Sequence, residues 1–247
     1  MLWTEGSRSA GGAGGLGADA QQRPGGYAEG NEGVKLMTKV KICGLTRMED
    51  IECANRLWPD FIGMVFYAKS KRAVTAEQAA ALKTKLASTI KAVGVFVNNE
   101  INFIAILAQA GIIDIIQLHG DEDETYIRKL RETLPKPNVP IIKAIRVRNE
   151  ASLQGLAAYP VDYFLFDTFK AGIYGVTGER FKLELESIHI PKPYFIAGGL
   201  DASNIAEVIE ANPKVFAVDV SGGVEDGTTG LKDAQKMAAF VEQVRSV

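Results

Sequence analysis

Eight apolar runs of strand length recur along the chain, at residues 38–43, 61–67, 91–97, 115–119, 141–147, 162–167, 194–197 and 215–220, and stretches of helical period separate most of them. Strands spaced by a helix pair in parallel, because an antiparallel partner needs only a short turn whereas a parallel one needs a long crossover. Such crossovers are right-handed and set their helices on the faces of the sheet. Eight consecutive units of this kind are predicted to close into a single (β/α)8 barrel, an α/β fold. A doubly wound open sheet is the alternative topology.

Local signals agree with that pattern. Thr46, followed by Glu49 and Asp50, reads as the cap of a first helix that carries Ile51, Ala54 and Leu57 on one face. Thr75 caps a second helix through Ala79, Ala80 and Leu82, and residues 101–110 form a third. An acidic turn at 120–123 leads into a helix ending near Thr133, and Pro135, Pro137 and Pro140 mark the loop after it. A short helix is expected over 151–158, a long glycine-bearing loop over 170–178, and only a weak helical pattern over 181–187. Helices over 203–210 and 231–244 complete the set.

Residues 1–36 are of another kind, rich in Gly, Ala and small polar residues and without either period. Such a segment buries too little apolar surface to offset its ordering entropy, so it is expected to be a flexible extension, with the barrel domain over 37–247. At 47% hydrophobic and 23% charged residues, the remainder can bury a full core. A net charge of -2 with no basic face argues against a nucleic-acid partner, and no stretch is long and apolar enough to suggest a membrane span. Two cysteines, Cys43 and Cys53, make no disulfide framework and suit a reduced, cytoplasmic setting. Cys53 falls in a helical pattern and reads as packing.

In a barrel the C-terminal strand ends share one face, which gathers residues distant in sequence. Cys43 ends the first run, Gln117 and His119 the fourth, and Asp167 the sixth. Gly198-Gly199 follows the seventh and Ser221-Gly222-Gly223 the eighth. Those two loops commonly cradle phosphate, since backbone N–H groups without side chains favour an anion, and Gly175 and Gly178 after the sixth run are expected to add an edge. A thiol beside such donors is expected to have a lowered pKa and to act as a base, and a partly covered carboxyl to act as an acid. Together they suit an isomerase. Arg72 is expected to fork a substrate carboxylate, and its blander reading is a solvated surface arginine. His119 has no second histidine or cysteine at ligand spacing, so no metal site is expected.

Taken together, these strings resemble the phosphoribosylanthranilate isomerase family. The matching stretches are Lys41-Ile42-Cys43-Gly44, the segment 66–74 with Ser70 and Arg72, Gly94-Val95-Phe96-Val97-Asn98 and Gln117-Leu118-His119-Gly120-Asp121. Lys143-Ala144-Ile145, Phe166-Asp167-Thr168, Ala197-Gly198-Gly199-Leu200 with Asn204, and Val218-Asp219-Val220-Ser221 with Gly223-Val224-Glu225 and Lys232-Asp233 follow in order. The resemblance covers nearly the whole barrel.

It implies an intramolecular oxidoreductase that performs an Amadori rearrangement of a phosphosugar, in tryptophan biosynthesis, without metal or organic cofactor, as a monomer or homodimer. It also implies Asp167 as general acid, Cys43 as general base, Arg72 on the anthranilate carboxylate, Gln117 and His119 beside the substrate, and the glycine turns on the phosphate. Two departures stand out: Val176 lies where the family usually has glycine, and Gly222 where it usually has serine. The rival enzymes are other phosphosugar barrels, of which the dual-substrate isomerase is expected to carry an aspartate in place of Cys43. A silent, ligand-binding barrel is the rival from another class.

Overall fold

A closed parallel sheet has an inside and an outside, and successive side chains along each strand alternate between them. The computed structural model describes residues 37–134, 139–167, 185 and 188–247. In it the strands β1 (Lys39–Cys43), β2 (Phe61–Phe66), β3 (Lys91–Phe96), β4 (Ile115–Leu118), β5 (Ile141–Arg146), β6 (Tyr163–Asp167), β7 (Tyr194–Ala197) and β8 (Ala217–Val220) pair in sequence order. Every pairing is parallel, and β8 returns to β1 with Lys41 opposite Asp219, so the barrel closes. The open-sheet alternative is excluded.

Alternation produces two separate apolar cores. Phe61, Val93, Ile115, Ile142, Leu165 and Phe195 point into the barrel with Ala144, Ala197 and Ala217. Their immediate neighbours, such as Ile62, Ile116, Ile141, Phe164, Phe166 and Ile196, point outward and pack against the helices. The strand beginnings are closed by aromatic rings: Phe61 and Phe195 lie 5.4 Å apart, Phe195 and Phe216 5.5 Å, and Tyr163 stacks on Phe216 at 5.0 Å. Among the described residues, polar groups gather at the opposite, C-terminal strand ends.

Around the barrel run α1 (Met48–Leu57), α2 (Ala76–Lys85), α3 (Ile101–Gln109), α4 (Glu124–Thr133), α5 (Ile205–Glu210) and α6 (Ala234–Arg245). Thr75 caps α2 as expected, its hydroxyl accepting from the Gln78 N–H while Gln78 accepts from the Thr75 N–H. At α1 the expected cap is corrected: Arg47 is the capping position, and the buried Asp50 carboxylate reaches back to accept from the N–H groups of Thr46 and Arg47. Thr46 turns its hydroxyl to the Gly230 carbonyl instead. The helix expected over 151–158 is two 3-10 turns, Glu150–Leu153 and Leu156–Ala158, because Gly155 between them adopts a φ of 72°. The closing helix begins at Ala234 behind an Asp233 cap, since Lys232 is held in a β-bridge to Glu225. The pattern over 181–187 lies outside the described residues except for Leu185, and so do the extension 1–36 and the loop 170–178.

Candidate active site

Cys43, Gln117, His119, Asp167 and Asp219 come from the ends of β1, β4, β6 and β8, and line one cavity of about 610 Å³ together with the turns after β7 and β8. Cys43 is 9% exposed and pairs in register with Gly63 of β2. A Cβ at position 63 would stand 2.5 Å from the Cys43 sulfur, so the glycine makes the room that the thiol occupies. Burial pushes this thiol above its ordinary pKa, with the ammonium groups of Lys41 and Lys232 pulling the other way. The expected lowering is therefore corrected: desolvation outweighs the nearby positive charge.

Lys41 is fully buried, two residues before Cys43 on the same face of β1, and its ammonium donates to Asp219 Oδ2 at 2.7 Å. Burial acts against the ammonium, but Asp219 and Cys43 more than offset it and raise its pKa, so Lys41 stays charged. Sequence reasoning gave neither residue a role. The signal was there: charges at 41 and 219, flanked by Val40 and Ile42 and by Val218 and Val220 and spaced by two from Cys43 and Ser221, share the strand face of those two residues.

On the opposite side, Asp167 Oδ2 lies 3.3 Å from His119 Nε2, and Gln117 Nε2 lies 2.9 Å from His119 Nδ1. A Gln117 amide nitrogen that donates to Nδ1 goes with the tautomer whose proton is on Nε2, facing Asp167. His119 thus orients the carboxyl from one side, and Gln117 fixes the ring.

The glycine turns bring backbone close to the cavity. Gly198 and Gly199 take φ values of 100° and 65°, and Asn204 donates to the Gly199 carbonyl at 2.8 Å. A Cβ on Gly223 would lie 1.9 Å from the Leu200 carbonyl oxygen, so the two loops touch only because that position has no side chain. Gly222 opens a single 3-10 turn, Gly222–Val224. Ser221 lines the cavity, yet its hydroxyl donates to the Cys43 carbonyl at 3.0 Å and ties β8 to β1. Gly175 and Gly178 lie outside the described residues.

Arg72 also lines the cavity, but neither sequence expectation fits it fully. It is 27% exposed, and its fork is taken by Glu225, with Nε to Oε1 at 2.6 Å and Nη2 to Oε2 at 2.9 Å. The arginine is a fixed cation at the rim. Lys232, 5% exposed, joins the same cluster by donating to Glu225 Oε1 at 3.2 Å and to the Ser221 carbonyl at 2.9 Å. Among the described residues no group of three metal-ligating side chains comes together, and no helix is long and apolar enough to cross a membrane.

A family model described as N-(5'-phosphoribosyl)anthranilate (PRA) isomerase matches residues 40–243. The chain is 45% identical over 213 residues to an N-(5'-phosphoribosyl)anthranilate isomerase of Thermoanaerobacter sp., an alignment spanning 85% of this chain and 100% of the relative. It is 41% identical over 211 residues to the protein of that name from Pseudomonas putida, covering 83% and 96% of the two. Among solved structures, a phosphoribosyl anthranilate isomerase in complex with reduced 1-(o-carboxyphenylamino)-1-deoxyribulose 5-phosphate superposes with a TM-score of 0.73 at 32% identity, covering 85% of this chain and 100% of that one.

Proposed function

The chain belongs to the N-(5'-phosphoribosyl)anthranilate isomerase family and catalyses the Amadori rearrangement of N-(5-phosphoribosyl)anthranilate in tryptophan biosynthesis; from that premise we propose that Cys43 and Asp167 carry its two proton transfers. The observation that carries this reading is that a thiol from β1 and a carboxyl from β6 line the same cavity, beside glycine turns able to seat the phosphate. The product is 1-(2-carboxyphenylamino)-1-deoxyribulose 5-phosphate.

In this reading Asp167 gives its proton to the ribose ring oxygen as the C1'–O bond breaks and the nitrogen lone pair forms the C1'=N bond. Cys43, as thiolate, then removes the C2' proton; the C–H electrons form C1'=C2' and the C=N electrons return to nitrogen. Transfer of a proton from the C2' hydroxyl to C1' leaves the ketone. Gln117 and His119 hold the acid in place, and Arg72 sets positive charge where the substrate carboxylate arrives. Backbone of Gly198, Gly199, Gly222 and Gly223, with Gly175 and Gly178, receives the phosphate. The reading is of a monomer or homodimer, and two free thiols suit a cytoplasmic setting.

The test follows loss of phosphoribosylanthranilate fluorescence. Cys43→Ala and Asp167→Asn are each expected to lower kcat by about 10²–10⁴-fold, the range typical of a lost acid or base, while affinity for the reduced product analogue changes little. Turnover near wild type in either variant removes that residue from the reaction.

A further inference from the structure

Four carboxylate side chains are buried among the described residues: Asp50, Glu122, Asp219 and Glu225. A buried carboxylate is stable as an anion only when its oxygens find donors. Asp50 has both occupied, Oδ1 by the Arg47 guanidinium and Oδ2 by the N–H groups of Thr46 and Arg47. Glu122 takes the Asn98 N–H on one oxygen and the Gly120 N–H and Lys143 ammonium on the other. Glu225 takes Arg72 on both. Asp219 is the exception: Oδ2 is held by Lys41, and Oδ1 is buried with no hydrogen-bond partner.

Asp219 is also the one of the four that lines the cavity. The neighbouring Ser221 hydroxyl is committed to the Cys43 carbonyl, and one of the two Gln117 amide hydrogens to His119. A ligand in the cavity can supply the missing donor. The substrate's phosphate and carboxylate are anions and repel a carboxylate, which leaves its sugar hydroxyls and its nitrogen. Lys41 holds Asp219 at 2.7 Å and stands two residues before Cys43 on the same face of β1, so Asp219 and the thiol border one part of the cavity, and the carbon on which Cys43 acts bears a hydroxyl.

Resting on the proposed reaction, we propose that Asp219 is a substrate-binding residue whose Oδ1 accepts a hydrogen bond from the C2' hydroxyl of the opened sugar, with Lys41 as its fixed counter-ion. The bond holds the C2' hydrogen toward the thiol and discriminates against a sugar that lacks this hydroxyl. A site built around a buried polar group rejects an analogue that leaves the group unpaired.

Binding of reduced 1-(o-carboxyphenylamino)-1-deoxyribulose 5-phosphate is compared with that of the same compound lacking the C2 hydroxyl. Wild-type protein is expected to prefer the hydroxylated compound by about tenfold or more. Asp219→Asn, and Lys41→Met/Asp219→Leu, which removes both charges together and so leaves no unpaired lysine, are expected to bring that ratio near one. An equal affinity of the wild type for both compounds overturns the proposal, as does a preference that survives in the double variant, which would place the hydroxyl elsewhere. Wild-type turnover of phosphoribosylanthranilate, measured on the same sample, separates the two readings: turnover without discrimination sinks only the role of Asp219, whereas no turnover sinks the proposed reaction.

Discussion

Three lysine–carboxylate pairs are buried among the described residues, and two of them, Lys143–Glu122 and Lys41–Asp219, do different things. Lys143 and Glu122, at 2.8 Å, lie behind β4 and β5, where the ammonium also donates to the Gly120 carbonyl and the carboxylate gathers two backbone N–H groups. The pair ties the loops after β3 and β4 together, and its hydrogen-bonding capacity is used within the protein. Lys41 and Asp219, at 2.7 Å, lie inside the barrel, with one carboxylate oxygen unpaired at the cavity. A closed network spends its polarity on geometry, while an open one keeps some for a ligand. The lesson is that burial and ion pairing do not by themselves mark a functional charge; an unmet valence at a cavity does.

The sharpest way to break this distinction is Glu122→Ala. Removing one partner of a buried pair leaves an uncompensated charge, so a loss of about 3–5 kcal/mol in denaturant unfolding is expected, with kcat near wild type wherever the protein is folded. If turnover collapsed and stability held, the two pairs would have to exchange roles.

Lys41→Met tests the other side. A nearby ammonium favours the thiolate, so its loss raises the Cys43 pKa further, and the limb of the kcat/KM profile that reports the base moves to higher pH. Turnover at neutral pH is expected to fall by about 100-fold and to recover in part as pH rises. A profile that keeps its position would detach Lys41 from the thiol.

Gly63→Ala perturbs the same thiol by volume alone. The added Cβ would meet sulfur at 2.5 Å and the Cys43 backbone at 3.1 Å, so a loss of about 1–3 kcal/mol and a drop in kcat of about tenfold are expected. The equivalent kinetic effect should be absent for a substitution beside Lys143.

The smallest effect belongs to Glu225. Burial pushes its carboxyl up, but the hydrogen bonds from Arg72 and the Gly230 N–H, with the Lys232 charge, pull it below the usual range. A depressed folded value means that its contribution to stability is present above its unfolded pKa and is lost as pH falls through the folded one. Glu225→Gln should therefore flatten the acid side of the stability profile, read as denaturant midpoint against pH.

Much of the architecture was legible before any coordinates. Strand β1 ends at Cys43 and β6 at Asp167, as the apolar runs indicate, because a barrel strand buried on both faces has to be apolar until it reaches the rim. The 151–158 segment was misread for a local reason: its apolar spacing is helical, but Gly155 at positive φ divides it. The ion pair of Arg72 was hidden for a distant one. Its partner Glu225 is 153 residues away, and no local pattern announces such a pairing.

Residue order alone determined that eight apolar runs of strand length alternate with stretches that are mostly helical in pattern, and that a thiol, a histidine and a carboxyl stand at the ends of three of them. Those properties follow from periodicity, which is a property of neighbours along the chain. Only the tertiary structure decided which charges face one another across the barrel, which of their oxygens are satisfied, and that burial raises the Cys43 pKa. These depend on distances between segments far apart in sequence and on exclusion of water, and neither exists until the sheet has closed.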